Sequence, residues 1–268
     1  MYLHSKVIRT CLAIGLLSSC MILDAAPAQV SRTLEAGGKR VAVRIFGNSG
    51  PSVVFEAGRG EDSESFLQIA RQLSRCGTVV LYDRPGTGSS GPRAEPVVLA
   101  STVADELDEA LTRAFVHPPY ILVGHSLGGL YVQAYARSRP RKVAAVVLID
   151  ATTPLEPPDT FVSTVLPRAG TTAAAEEAGV PESMAALRAG PPFPPVPLIV
   201  IAASDHNDTP AREALWQEVQ ARTAMLSPRG ELVTVGGGHF VQTENPQVVV
   251  TAILDAATAA GYDTAACR

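Results

Sequence analysis

The stretch YILVGHSLG at residues 120–128 decides the fold expected of this chain of 268 residues. A short apolar run leads into the pattern G-x-S-x-G, which is typical of a buried strand that turns sharply into a helix and exposes a serine at the crest. Gly124 and Gly128 suit this turn because a side chain at either position would crowd a strained backbone. Serine alone is a weak nucleophile, so Ser126 indicates chemistry only if the chain also supplies a base and an acid.

Apolar runs alternate with helical patterns along the rest of the chain. The runs span residues 40–46, 52–55, 78–82, 120–123, 143–149, 198–202 and 232–235, and the helical patterns span 66–73, 103–115, 130–137, 211–226 and 246–260. Strands that are apolar throughout are covered on both faces, as in a parallel sheet. The first run alternates instead, and the turn residues that end it indicate a hairpin-type opening. The sequence therefore predicts a doubly wound α/β fold.

The first 28 residues have the pattern of an export signal. Basic residues precede an uncharged apolar run that is too short to span a bilayer, and Ala-Pro-Ala at 26–28 is typical of a cleavage site. We expect a signal peptide at 1–28 and an exported domain, secreted or periplasmic, over 29–268. One alternative is a lipoprotein anchored to a membrane through Cys20, because LSSC at 17–20 resembles a lipobox; a buried first helix is another.

Composition narrows the class of protein. Hydrophobic residues make up 46% of the chain and charged residues 18%, as in a globular enzyme. The net charge is −4 with no basic run, which argues against nucleic acid as a partner. Cys76 and Cys267 remain after processing, and an even pair in an exported protein is a candidate disulfide, with two free thiols as the alternative. No spacing of cysteine and histidine is typical of zinc, so we expect no metal.

Residues 151–195 form a connection that is longer than α/β units usually need. Its ends are rich in proline, and its middle has the pattern of one or two small helices. We expect a cap, or lid, whose apolar side chains line a pocket for an acyl or aryl group, whereas a disordered insertion is the alternative. The pocket candidates are Phe161, Val165, Leu166, Met184 and Phe193.

A serine nucleophile needs an imidazole to take its proton, and His239 is the preferred candidate. It lies in GGGHF at 236–240, between an apolar strand and a helical pattern, where glycines allow a tight turn. Three other histidines are weaker candidates. His125 lies inside the serine turn and is expected to point away from the serine, His117 precedes two prolines, and His206 lies in a polar loop.

The acid that orients this imidazole is expected at the carboxyl end of a strand. Asp205 is preferred because it follows the strand at 198–202 and gives the chain order serine, aspartate, histidine. Asp150, at the end of the run 143–149, and Asp208 are the alternatives. Residues 205–208 are polar enough to suggest a metal site, but one short loop rarely supplies enough ligands.

Attack on a carbonyl group requires N–H donors that already point at the developing oxyanion. In a serine turn of this kind one donor belongs to the next residue, here Leu127, and the other to a loop after an earlier strand. FEAGRG at 55–60 is such a loop, with the Arg59 N–H preferred and Gly60 next; an ordinary glycine turn is the alternative. DRPGTGSS at 83–90 lacks the phosphate-binding patterns and is interpreted as a structural segment that ties loops together.

Taken in order, FEAGRG, DRPGTGSS, GHSLGG, the strand-end Asp205 and GGGHF resemble the α/β-hydrolase superfamily, in its secreted esterase-like branch, over residues 39–260. The resemblance implies an eight-stranded, mostly parallel sheet, a cap after strand six, and hydrolysis of a small-molecule substrate without a cofactor. The chain departs from the pattern at Ala57, where relatives carry histidine. Relatives with dehalogenase or epoxide hydrolase activity carry aspartate in place of Ser126, which argues against both activities.

The sequence thus predicts a serine hydrolase that cleaves a carboxylic ester through an acyl-enzyme intermediate. Amide or peptide, thioester and lactone hydrolysis use the same machinery and are alternatives. A ligand-binding protein without activity is a further hypothesis, because a fold by itself does not establish turnover.

Overall fold

The computed structural model describes residues 29–157, 160 and 166–267. The predicted leader with Cys20 lies outside the described residues, and so do Phe161 and Val165. Within the described part of the chain, no helix has the length and apolar character needed to cross a membrane.

Eight strands form one sheet in the order β1-β2-β4-β3-β5-β6-β7-β8. The strands are β1 (Gln29–Ala36), β2 (Lys39–Phe46), β3 (Ser52–Glu56), β4 (Thr78–Asp83), β5 (Tyr120–His125), β6 (Val143–Ile149), β7 (Leu198–Ala203) and β8 (Gly230–Val235). β2 pairs antiparallel with both β1 and β4, and every other neighbouring pair is parallel. This is the mostly parallel, eight-stranded sheet that the sequence predicts.

Helices cover both faces of the sheet, so the fold is doubly wound. The helices are α1 (Leu67–Leu73), α2 (Ala100–Arg113), α3 (Leu127–Ser138), α4 (Thr172–Ala189), α5 (Pro210–Ala224), α6 (Val241–Glu244) and α7 (Pro246–Ala259). α2 and α3 pack on one core, and α1 and α7 pack on the other. The central strands contribute alternate side chains to the two cores, which explains why they are apolar along their whole length.

The opening hairpin differs from the expected one. β2 is paired with an upstream strand, β1, through a turn at Gly37 and Gly38, whose φ angles are 57° and 71°. The turn residues 47–51 lead instead into β3, which lies on the far side of β4. Most side chains of β1 are exposed, so the strand lacks the apolar run by which the others are detected.

The long connection after β6 carries one helix in its described part, α4. The helix begins after Thr171, whose hydroxyl accepts a hydrogen bond from the Ala174 amide, and it contains Pro181. α4 docks beside the start of α2, where the Val98 amide donates to the Ala175 carbonyl at 2.8 Å. The cap is therefore anchored on the face of the sheet that α2 and α3 cover.

A disulfide joins Cys76 to Cys267, with 5.7 Å between their Cα atoms and a sequence separation of 191. It ties the C-terminal end of the chain to the loop between α1 and β4. These are the two cysteines that the sequence analysis pairs.

Candidate active site

Four polar residues follow the carboxyl ends of four neighbouring parallel strands, at one end of the sheet. The residues that follow the strands are Ser126 after β5, Asp150 after β6, His206 after β7 and His239 after β8. Because β5 to β8 are consecutive in the sheet and run in the same direction, their carboxyl ends lie side by side. The four residues therefore lie at the same ends of neighbouring strands although they come from distant parts of the sequence, and the side chains of His206 and His239 both contact Asp150.

The serine turn has the predicted strand–turn–helix form. Ser126 lies between β5 and α3 with φ 52° and ψ −125°, a backbone conformation that residues other than glycine rarely adopt. Gly124 and Gly128, which flank Ser126, do not have positive φ angles. They are needed because neighbouring backbone atoms approach them too closely for a side chain. A Cβ on Gly128 would lie 2.3 Å from the Glu56 carbonyl oxygen, and one on Gly124 would lie 2.6 Å from the Gly128 carbonyl oxygen.

His239 is hydrogen-bonded to Asp150, with 2.6 Å between its Nδ1 and the Asp150 Oδ2. The Asp150 carboxylate is fully buried, whereas the imidazole is 36% exposed. The loop that holds the ring lies beside the serine: the Ser126 amide donates to the Ile149 carbonyl at 3.0 Å, and the Nε2 of His125 lies 3.0 Å from the His239 carbonyl oxygen. The base candidate thus lies over the ends of β5 and β6.

The structure pairs His239 with Asp150, the second choice of the sequence analysis, and not with Asp205. The Asp205 side chain is exposed and accepts a hydrogen bond from the Asn207 amide at 3.2 Å. Its own amide donates to the Gly237 carbonyl at 3.1 Å, which supports the loop of His239 through the backbone alone. Asp150 reaches the imidazole because its backbone turns sharply at the end of β6, with φ 43°.

Asp150 accepts four hydrogen bonds. Its Oδ1 accepts from the Ala203 amide at 3.0 Å and from the Trp216 indole at 2.8 Å, and its Oδ2 lies 2.7 Å from the His206 Nε2 as well as facing His239. Burial would raise the pKa of this carboxyl, but the hydrogen bonds from His206 and His239 outweigh burial and lower the pKa to about 2. Asp150 is therefore ionised over the whole physiological range.

His206, a weaker candidate for the base by its sequence, also contacts Asp150. Besides Asp150, it contacts Glu213 in the first turn of α5, with 2.9 Å between the His206 Nδ1 and the Glu213 Oε2. The Glu213 Oε1 also accepts from the His206 backbone amide at 2.6 Å. A histidine directly after a strand-end aspartate was the sequence signal for this residue.

Asp150, His206 and His239 bring three potential metal-ligand atoms within 4.8 Å of one another. The distances do not suit an ion. Zinc held at its usual bond lengths would keep ligand atoms roughly 3.3 Å or more apart, whereas the carboxylate lies 2.6 and 2.7 Å from the two nitrogens. At these distances the three side chains are linked by hydrogen bonds.

The loop at 55–60 is fixed by a buried arginine. The Arg84 guanidinium donates to the Ala57 carbonyl at 2.8 Å and to the Gly58 carbonyl at 2.6 Å, and it forms an ion pair with Glu56 at 2.6 Å. In a trans peptide the N–H points opposite to the C=O, so the amide of Arg59 is directed away from Arg84. DRPGTGSS is therefore a structural segment, as its sequence predicts, and its Arg84 orients the loop that carries the oxyanion candidate Arg59.

The cap helix also contacts this loop. Glu176 on α4 bonds the Arg84 Nε at 2.8 Å and accepts from the Gly60 amide at 2.6 Å, while Glu177 forms an ion pair with the Arg59 side chain. Because the Gly60 N–H is already bonded, Arg59 is the better second donor. Leu127 is the first residue of α3, so its amide has no acceptor within the helix.

Three of the predicted pocket residues, Leu166, Met184 and Phe193, lie in the described part of the chain. Leu166 is 73% exposed, and Met184 packs against the core of the α2 and α3 face. Phe193 is buried against the Arg137 guanidinium, ten residues along α3 from the serine turn and so roughly 15 Å away. The apolar side chain beside the base is Phe240 instead, 46% exposed, with its ring centroid 5.5 Å from that of His239.

A cavity of about 330 Å³ lies at the far end of α3. It is lined by residues of α2, α3 and α4, among them Leu99, Ala134, Arg137 and Leu187, and not by Ser126, Asp150 or His239. The site at the sheet edge is thus distinct from this cavity.

Known proteins share this architecture. The family model for the alpha/beta hydrolase fold matches residues 51–177. An uncharacterized protein of Bacillus subtilis, YqjL, is 27% identical over 214 residues, which cover 78% of this chain and 84% of that protein. A pimeloyl-[acyl-carrier protein] methyl ester esterase of Chromobacterium violaceum is 40% identical over 105 residues, 39% of this chain and 38% of the esterase.

The solved structure of a thermophilic esterase from Thermogutta terrifontis superposes with a TM-score of 0.69 at 19% identity, and the match covers 85% of this chain and 97% of the esterase. The chain therefore has the α/β-hydrolase fold.

Proposed function

We propose that this protein is a serine hydrolase that cleaves carboxylic esters through an acyl-enzyme intermediate. The observation that carries the proposal is the 2.6 Å hydrogen bond between the buried Asp150 carboxylate and the His239 Nδ1, on the loop beside the strained Ser126. An imidazole whose Nδ1–H is held by a carboxylate presents Nε2 as the proton acceptor. The methyl ester esterase among its relatives supports an ester as the substrate.

In this mechanism the Ser126 Oγ attacks the ester carbonyl carbon while the His239 Nε2 accepts its proton. The amides of Leu127 and Arg59 donate to the oxyanion, whose charge the N-terminus of α3 also stabilises. The carbon–oxygen bond then breaks, and His239 returns the proton to the departing alcohol. A water molecule, deprotonated by His239, releases the carboxylic acid from the acyl-enzyme.

The exposed ring of Phe240 beside His239 favours an apolar acyl or aryl group on the substrate.

We also propose that the enzyme acts outside the cytoplasm. The export pattern at 1–28 and the Cys76–Cys267 disulfide support this location. Cell fractionation with intact mass of the exported form distinguishes a leader cleaved near residue 28 from lipid attached at Cys20.

Labelling with a fluorophosphonate tests the function. The wild-type protein is expected to acquire one phosphonyl group, and peptide mass spectrometry should locate it on Ser126. It should also hydrolyse p-nitrophenyl acetate and butyrate, and Ser126→Ala should abolish both reactions with an unchanged circular dichroism spectrum. A folded wild-type protein that is neither labelled nor faster than Ser126→Ala would contradict the proposal and favour a ligand-binding protein.

A further inference from the structure

We propose that His206 is a second positioning residue of the active site, which holds Asp150 and, as an imidazolium, keeps His239 available as a base at lower pH. The inference rests on the proposed function, in which His239 accepts the proton of Ser126. It adds to the triad an ion chain that runs from His239 through Asp150 and His206 to Glu213.

The two carboxylate partners of His206 indicate a positively charged ring. Its Nε2 lies 2.7 Å from the Asp150 Oδ2, and its Nδ1 lies 2.9 Å from the Glu213 Oε2. An ionised carboxylate only accepts hydrogen bonds, so both ring nitrogens must donate, and a histidine with two N–H groups is positively charged. The bond to Asp150 is the main cause that raises the pKa of His206 to about 9, with Glu213 adding to it.

The ring of His206 is also held in place by packing. Its centroid lies 5.5 Å from that of Trp216, and the Trp216 indole donates to the same carboxylate. Glu213 and Trp216 are three residues apart on α5, so both lie on the helix face that meets the site. α5 thus supports both the acid and its second imidazole.

The positive charge of His206 counteracts the effect that the negative charge of Asp150 has on the protonation of His239. A carboxylate beside an imidazole favours the protonated ring, which cannot act as a base. An imidazolium bonded to the same carboxylate oxygen offsets part of this effect. The centroids of the two histidine rings lie 6.3 Å apart. A unit charge on His206 at that distance opposes protonation of His239. With effective dielectric constants between 20 and 80, the opposition is worth about 0.5 to 2 pH units.

Other ionisable groups face the three residues and need controls. They are Glu213, Asp208 and Arg212 beside His206, Glu156 beside Asp150, and Glu61, His125 and Glu244 around the His239 loop. Burial raises the pKa of Glu156 to about 7. Glu156 therefore titrates in the range of interest and is the main competitor for any acid-side change in rate.

The test compares His206→Gln with wild type, with His117→Gln and with Glu156→Gln. Glutamine keeps an N–H that reaches Asp150 but removes the charge, and His117 is an exposed histidine in a distant loop. The pH dependence of kcat/KM is measured on p-nitrophenyl acetate. We expect the acid limb of His206→Gln to move up by about 0.5 to 2 pH units, and the limb of His117→Gln to stay in place.

Two-dimensional NMR of ¹⁵N-labelled histidine rings tests the same idea without turnover. The His206 ring should carry both protons at pH 7.5, and the protonation of the His239 ring should move upward in His206→Gln. A singly protonated His206 ring, or a His239 ring that titrates alike in both proteins, overturns the proposal. An acid limb that follows Glu156→Gln and not His206→Gln also overturns it. Because the NMR readout needs no substrate, it decides the role of His206 even if esters prove not to be hydrolysed.

Discussion

Replacing Asp150 with asparagine is expected to remove most of the activity and to weaken the fold. The carboxylate accepts four hydrogen bonds, two of them from histidine rings. In asparagine one carboxylate oxygen becomes an NH₂ donor, so the amide cannot accept all four. If the amide oxygen keeps Trp216 and the Ala203 amide, both His206 and His239 face another donor.

The magnitudes follow from these partners. Loss of the acid's charge from a Ser-His-Asp triad lowers kcat about 10⁴-fold, because the imidazole loses the tautomer that accepts the serine proton. Asp150 is fully buried and ion-paired with the charged His206. Breaking a buried pair by removing one partner destabilises a protein by about 3 to 5 kcal/mol. We therefore expect Asp150→Asn to lower both kcat and the free energy of unfolding.

Asp205→Asn is the matched control. Its side chain is exposed and accepts one local hydrogen bond, from Asn207. A surface substitution of this kind changes stability by about 0.5 kcal/mol or less, and kcat should stay within about threefold of wild type. Both variants are assayed for p-nitrophenyl acetate hydrolysis and for unfolding in guanidinium chloride. A variant pair in which Asp205→Asn is inactive and Asp150→Asn is active would refute our assignment of the acid.

Two further predictions concern the backbone of the serine turn and the disulfide. Gly128→Ala places a Cβ 2.3 Å from the Glu56 carbonyl oxygen, so it should lower Tm and reduce fluorophosphonate labelling. Gly236→Ala, with no atom within 4 Å of the new Cβ, should change stability by about 0.5 kcal/mol or less, and equal Tm values for the two would contradict the steric argument. The Cys76–Cys267 disulfide closes a loop with a sequence separation of 191, so its reduction should lower the free energy of unfolding by about 5 kcal/mol. Coincident guanidinium midpoints with and without dithiothreitol would count against that role.

Most of the sheet could be predicted because burial leaves a direct trace in the sequence. The strands β3 to β7 are covered by helices on both faces, so each is a continuous apolar run. β1 escaped prediction because most of its side chains are exposed. A strand at the edge of a sheet needs no apolar pattern, since its pairing depends on backbone hydrogen bonds.

The acid was harder to predict than the nucleophile because it depends on side-chain direction. Asp150 and Asp205 both follow apolar strands, so neither composition nor spacing separates them. Which aspartate contacts His239 depends on the backbone of Asp150, whose φ of 43° turns the residue toward the His239 loop. The side chain of Asp205 instead accepts a hydrogen bond from the Asn207 amide. Backbone turns of this kind arise from the packed structure, and one sequence does not reveal them.

The contact of the cap with the oxyanion loop was also beyond sequence reasoning. Glu176 lies in an alanine-rich helix, and Arg84 lies 92 residues earlier in a glycine-rich loop. Neither segment indicates that its charge is buried. The pair becomes evident only when α4 docks beside α2 and Glu176 reaches Arg84, which is buried and would be strongly unfavourable without partners.

Backbone strain in this protein concentrates where the proposed chemistry occurs. In the described part of the chain, the residues other than glycine with positive φ are Phe115, Ser126, Asp150 and Asn207. Ser126 is the proposed nucleophile, Asp150 is the proposed acid, and Asn207 follows His206. Each such conformation costs on the order of 1 to 3 kcal/mol and persists only where surrounding contacts enforce it. Here those contacts include the pairing of β5 with β6 and the four hydrogen bonds to Asp150. The same contacts that enforce the strained turns also hold Ser126, Asp150 and His206 at the carboxyl ends of neighbouring strands, so weakening them should impair activity before it unfolds the protein.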